Sequence, residues 1–221
     1  MASEKQSSSQ LLRYVTQQLQ NFFPISDSVP IKIETLNSAI VRTNRCVTEI
    51  KATKGSAFDY MNSGHYATFL YFLSRELWVS DHNTAEATRV FLLNKALNGI
   101  DLFYEVNMPD IFLIAHTVGM VFAKATYNDY CVFHQGCTVG RNGTTRPRIE
   151  SGVVLYPNSS VIGDCLIREN SVITPGVNLI DHDTPGNCYV FMGERGKPTF
   201  KEINEYFTDR YFKRERIIKN I

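Results

Sequence analysis

Residues 149–180 read IESGVV, LYPNSS, VIGDCL, IRENSV, ITPGVN, LI when written in sixes. The first place is always apolar: Ile149, Leu155, Val161, Ile167, Ile173 and Leu179. The fifth is always small or β-branched: Val153, Ser159, Cys165, Ser171 and Val177. A helix of 3.6 residues per turn would smear this period around its surface, and Pro157 and Pro175 would interrupt it. A flat strand would alternate at every second residue. Period six suits a chain wound as a triangular prism, with one short strand per face and about eighteen residues per turn. First-place side chains then stack inside the prism, and fifth-place residues fit at its corners.

Upstream the repeat is imperfect. Phe133 and Val139 stay in phase, Phe122 and Tyr127 fall one residue short, and Cys131 and Cys137 hold fifth places. The stretch 140–148 (GRNGTTRPR) breaks the period, because Val139 and Ile149 lie ten residues apart instead of six. About four residues are therefore expelled as a loop, where a regular scaffold tends to carry function. Residues 101–121, rich in β-formers, begin the coil. After Leu179 the repeat ends in IDHDTPGNCYVFMGERGKP, and the mixed-charge segment 199–217 is expected to be a helix.

Before position 100 the pattern is helical. Leu11, Leu12, Val15, Leu19 and Phe22 keep helical spacing over 10–22, with Ser8 or Ser9 as cap and Pro24 as stop. A weaker helix is expected over 33–50 and a short one from Gly55 to about Ser63. Residues 66–78 (YATFLYFLSRELW) are apolar nearly all round, as in a buried helix. The next helix has Asp81, Asn83 or Thr84 as N-cap and Gly99 as its C-terminal stop. The expected organisation is disorder over 1–9, an α-helical domain over 10–100, a β-coil domain over 101–198 and a tail over 199–221. The class is α+β by segments.

Composition bounds the function. The chain has 221 residues, 43% of them apolar and 20% charged, as in ordinary globular proteins. A net charge of +1 argues against a duplex-binding surface. The polar start MASEKQSSSQ lacks the apolar core of a signal peptide, and no apolar run approaches the length of a membrane span. The cysteines Cys46, Cys131, Cys137, Cys165 and Cys188 follow no zinc or disulfide spacing, so a reducing cytoplasm is the expected home.

The order of helical domain, hexapeptide coil and expelled loop resembles the serine acetyltransferase family, and the likeness extends to short motifs. Tyr66 to Leu73 looks like the family's apolar helix. Phe103-Tyr104-Glu105-Val106, followed by Pro109, resembles the stretch where the family carries an Asp. His116-Thr117-Val118-Gly119 resembles its His-Ala-Thr-Gly motif, and Gln135 to Gly140 its Gln-Ser-Val-Thr-Leu-Gly run. Arg146-Pro147-Arg148-Ile149 occupies its His-Pro-Lys-Ile position. The resemblance covers roughly residues 60–198. It implies a left-handed β-helix, acetyl-CoA as co-substrate, and homotrimers or dimers of trimers with active sites between subunits. Ile221 matches the family's terminal isoleucine, which docks a protein partner.

Acyl transfer from a thioester to a hydroxyl needs a base, and a neutral imidazole suffices for direct attack. His116 is the candidate. A carboxylate on its second nitrogen would fix the tautomer and stabilise the imidazolium; the resemblance puts Glu105 there. Arg146 and His134 are candidates for binding the small-molecule acceptor. Arg195 and Lys197 are candidates for the CoA phosphates, with Gly193 at the family's final glycine-proline turn. Three departures from the family bear on the acceptor: Ala115 replaces an acidic residue before the histidine, Thr145-Arg146 replaces an Arg-His pair, and an acidic residue is replaced near Gly64 and His65. A sugar or nucleotide-sugar O- or N-acetyltransferase, or a non-catalytic trimeric scaffold, are the alternatives. His116 and His134 are out of phase and His182 lies beyond the last full hexad, so a three-histidine metal site is not expected.

Overall fold

The computed structural model describes residues 8–26, 29–53 and 56–213. Four helices come first: α1 (Ser8–Phe22), α2 (Ile33–Thr48), α3 (Ser63–Val79) and α4 (Thr84–Asn98). Each boundary has a local cause. Asn62 accepts the Gly64 and His65 N–H groups at the start of α3, and Asn83 accepts that of Glu86 at the start of α4. Gly99, in the left-handed region at φ 64°, ends α4. Two expectations change here. Ser8 and Ser9 are helical, not disordered, because the apolar stripe of α1 buries Leu11, Val15 and Leu19 and holds its first turn. The short helix expected from Gly55 to Ser63 is absent among the described residues; 56–62 are irregular or turn, and the Asn62 side chain caps α3.

The coil begins at Ile100 and makes about five turns of a left-handed parallel β-helix. One face is β1 (Ile100–Leu102), β3 (Met120–Phe122), β6 (Thr138–Gly140), β9 (Ser160–Ile162) and β12 (Asn178–Ile180), in that order. A second is β4 (Thr126–Tyr127), β7 (Arg148–Ile149) and β10 (Leu166–Ile167). The third is β2 (Phe112–Ala115), β5 (Cys131–His134), β8 (Val154–Leu155), β11 (Ser171–Ile173), β13 (Cys188–Met192) and β14 (Pro198–Glu202). All neighbours are parallel except β13 and β14.

The hexad reading is realised side chain by side chain. Every first-place residue from Ile149 to Leu179 is buried, as is every fifth-place residue. Ile149 lies beside Ile167, whereas Val139 lies beside Val161; the turn holding 140–148 is four residues longer, as expected.

The helices are fixed to the first turn by directional bonds as well as packing. Tyr71 Oη donates to the Val106 carbonyl at 2.7 Å and accepts from the Met108 N–H at 3.0 Å. The Cys46 thiol donates to the Phe112 carbonyl at 3.1 Å. These bonds tie α2 and α3 to the chain that leads into residues 115–119.

Within 199–213 the expected helix is absent. Residues 198–202 form β14, an antiparallel partner of β13, and only Phe207–Arg210 make a 3₁₀ turn. The cause lies in the third face. Its outward column, Leu113, Val132, Val154, Val172 and Tyr189, is a ladder of lateral neighbours and is apolar. The tail covers it with Ile203, Phe207 and Phe212. The strap then joins α2, with Phe212 bridging to Ile50 and the Lys51 N–H donating to the Tyr211 carbonyl at 2.7 Å. The expected disorder over 1–7, the rest of the tail helix and the docking role of Ile221 lie outside the described residues.

Candidate active site

Residues 116–119 form the corner between β2 and β3. Ala115 lies beside His134 and Val121 beside Thr138, so five residues intervene at this corner where three do at the next. The surplus lifts His116 out of the prism, exposed and with its backbone at φ +61°. A non-glycine residue in that region is uncommon and stays there only when its surroundings hold it. Here the Gly119 N–H donates to the Gly99 carbonyl and the Gly136 N–H to the Val118 carbonyl, both at 2.9 Å. Gly136 is itself constrained, at φ +69° with Asn158 Oδ1 only 2.2 Å from where a Cβ would stand.

His134 is brought to the same corner, opposite Ala115 and not His116, so the two histidines are out of step as expected. Its ring stacks on Tyr156, and Tyr211 of the strap meets its edge. Burial, and then the nearby charge of His116, hold its pKa below the ordinary histidine value. Its Nε2 is buried and has no hydrogen-bond partner among the described residues, as is true of Gln135 Oε1 beside it.

Glu105 is not joined to His116 within the chain. Its carboxylate is bonded to Lys124, and it lines a cleft of about 240 Å³ with Asn107, Lys124, Thr126, Arg146 and Arg148. The sequence reading missed Asp101. It sits on β1, beside Val121 of β3 and two residues past the Gly99 carbonyl that anchors the corner. The buried–intermediate–buried alternation of β1 turns its side chain outward, where Lys95 Nζ reaches it at 2.6 Å. An acidic residue between two buried apolar ones, Ile100 and Leu102, was the available signal.

Arg195, Lys197 and Gly193 are together at the tip of the β13–β14 hairpin, with the Gly193 N–H on the Lys197 carbonyl at 2.8 Å. Four strand spacings separate β13 from β2 in their sheet, roughly 19 Å at the usual spacing. The hairpin is therefore not part of the His116 corner in a single chain, and Arg146 lies at a different edge of the prism, between β6 and β7 and not between a strand of the third face and one of the first. Asp181 and Asp183 accept the Asp164 and Leu166 N–H groups and cap the last turn.

A second cavity, about 280 Å³, lies between the start of α3 and β2 and includes His65, Asp59, Leu113 and Ile114. His65 Nδ1 accepts the Asp59 N–H at 3.3 Å, and burial lowers the pKa of its ring. Among the described residues, no three His, Cys, Asp or Glu side chains are grouped as a metal would require. No helix among them is long and apolar enough to cross a membrane.

Helical segment and left-handed coil together have the hexapeptide-repeat β-helix architecture. The chain is 29% identical over 114 residues to a serine acetyltransferase of Synechococcus elongatus, a match spanning 49% of this chain and 46% of that protein. It therefore aligns with about half the length of that relative. No family model matches. Its fold is that of solved serine acetyltransferases. The enzyme of Neisseria gonorrhoeae superposes with a TM-score of 0.68 at 19% identity, covering 93% of this chain and 83% of that one. A second structure of that enzyme, in complex with serine, gives 0.63 at 20% identity, with coverages of 87% and 84%. The enzyme of Vibrio cholerae gives 0.63 at 17% identity, with coverages of 89% and 74%.

Proposed function

We propose that this chain is an acetyl-CoA-dependent O-acetyltransferase similar to serine acetyltransferase, with His116 as general base. The observation that carries the reading is the lengthened corner, which presents an exposed imidazole in a backbone conformation the coil must work to hold. The neutral imidazole takes the acceptor's hydroxyl proton as the oxygen attacks the thioester carbonyl. The tetrahedral intermediate collapses with loss of the CoA thiolate, which receives that proton from the imidazolium. No covalent enzyme intermediate is required.

A carboxylate orients the base. We assign this role to Asp101, supported by its place on the strand tied to the corner; Glu105, the carboxylate suggested by sequence, serves the acceptor cleft instead. His134, neutral beside His116, and Arg146 bind the acceptor, while Arg195 and Lys197 at the Gly193 turn meet CoA phosphates. Because Arg146 and the hairpin stand apart from His116 in one chain, the complete site needs a neighbouring copy, as in a trimer. The dimer of trimers, the cytoplasmic location and the docking of Ile221 are further parts of this reading.

One observation favours an acceptor other than serine. Ala115, immediately before His116, offers no anion to an ammonium group. The test is thiol release from acetyl-CoA against serine and a panel of sugars and nucleotide sugars. Serine-dependent release selects serine, sugar-dependent release selects the alternative acceptor, and no release with no acetyl-CoA binding contradicts the transferase reading in favour of a scaffold.

A further inference from the structure

The cleft lined by Glu105, Lys124, Arg146 and Arg148, read above as the acceptor's, has a charge pattern that an uncharged hydroxyl acceptor would not need. Lys124 neutralises Glu105, the one carboxylate that lines it. Among the described residues, the guanidiniums of Arg146 and Arg148 have no carboxylate or carbonyl partner. They flank Pro147 where the chain enters β7, and the alternation of exposed Arg146, buried Pro147, exposed Arg148 and buried Ile149 puts both on the solvent side. The remaining polar lining is neutral. Asn107 Oδ1 is taken by Arg75 Nη2 at 2.7 Å, which leaves its amide N–H groups as donors, and Thr126 adds a hydroxyl.

The backbone that presents these groups is held in place. The Thr126 N–H donates to the Pro147 carbonyl at 3.2 Å and the Arg148 N–H to the Cys165 carbonyl at 2.8 Å. Thr126 and Arg148 are lateral neighbours in the sheet. The loop before them is closed by the Asn142–Thr145 bridge and pinned by Asn142 Nδ2 on Asp181 Oδ2 at 2.8 Å.

We propose that this cleft binds a phosphate dianion, with Arg146 and Arg148 as its two guanidinium partners. One carboxylate would be satisfied by one planar fork. Two unpaired forks, with two neutral donors in the same lining, match the double charge and the several acceptor oxygens of a phosphate monoester. The inference rests on the transferase reading only for which molecule carries the phosphate: the acceptor, or CoA itself.

The test is calorimetric titration of the intact chain with inorganic phosphate, CoA and 3′-dephospho-CoA. Saturable phosphate binding is expected, weakened about tenfold or more by Arg146→Ala/Arg148→Ala and tightened by Glu105→Gln, which removes the opposing charge and frees Lys124. If the double variant also loses affinity for CoA but not for 3′-dephospho-CoA, the dianion is CoA's own. If CoA binding is unchanged while inorganic phosphate binding is lost, the phosphate belongs to the acceptor. No saturable phosphate binding by the wild-type chain, or equal binding by a double variant with the wild-type melting temperature, overturns the proposal. Binding is read without turnover, so the outcome is independent of whether His116 is the base.

Discussion

The imidazole of His134 lies flat on the phenol ring of Tyr156, with centroids 4.8 Å apart and planes 6° from parallel. Tyr211 of the strap closes the edge of the stack, its hydroxyl 3.4 Å from that of Tyr156. The strap is thereby built into the surroundings of the His116 corner.

This burial has a pH signature. His134 and His65 both have pKa values depressed by burial, so the folded state favours their neutral forms. Their contribution to stability is complete above the unfolded value, about 6.5, and is lost as pH falls through the lower folded values. Thermal melts should show a lower Tm at about pH 5.5 than at about pH 7.5. His134→Asn should narrow that difference; an unchanged difference contradicts the buried neutral ring.

Gly136 should resist substitution more than Gly143. Both have positive φ, which alone costs a side chain about 1–2 kcal/mol. At Gly143 a Cβ meets nothing within 4 Å, whereas at Gly136 it meets Asn158 Oδ1 at 2.2 Å. In urea titrations Gly136→Ala should lose clearly more stability than Gly143→Ala. Equal losses would mean that Asn158 moves aside freely.

The strap should behave as part of the core. Phe212 is 1% exposed, packed against the coil face and bridged to Ile50. Phe212→Ala should cost about 3–5 kcal/mol by equilibrium unfolding, as for other buried aromatics. A loss below about 1 kcal/mol would show the strap to be an adherent tail, since exposed substitutions fall in that range.

The two carboxylates near the coil entrance should separate kinetically. Asp101→Asn should lower kcat by about tenfold or more through misorientation of the base, whereas Glu105→Gln should act chiefly on KM. The reverse pattern would return the orienting role to Glu105.

Much of this molecule can be read from residues alone, and the exceptions share a cause. Burial of Ile149, Leu155, Val161 and their successors follows from their period, because every sixth residue faces inward once the chain coils. The expelled loop follows from the same count. The corner at His116 does not, since its two extra residues emerge only when Ala115 is set beside His134 and Val121 beside Thr138. The tail was misread because FKEINEYFTDRYF has helical spacing when taken alone. A signal for its true role was present elsewhere: Val132, Val154 and Val172 are apolar and outward on one face only, and such a column needs a cover. The sequence reading of Glu105 rests on motif likeness, which cannot tell an outward strand residue from one in an excursion, and Asp101 does not enter it.

Acetyl-CoA-dependent thiol release by His116→Ala, measured beside its melting curve, tests the central assignment most directly. The account predicts loss of about 10²-fold or more in turnover with a nearly unchanged Tm, because the ring is exposed and contributes little to packing. Turnover retained within a few-fold in a folded variant would contradict it, and the base would have to be sought elsewhere.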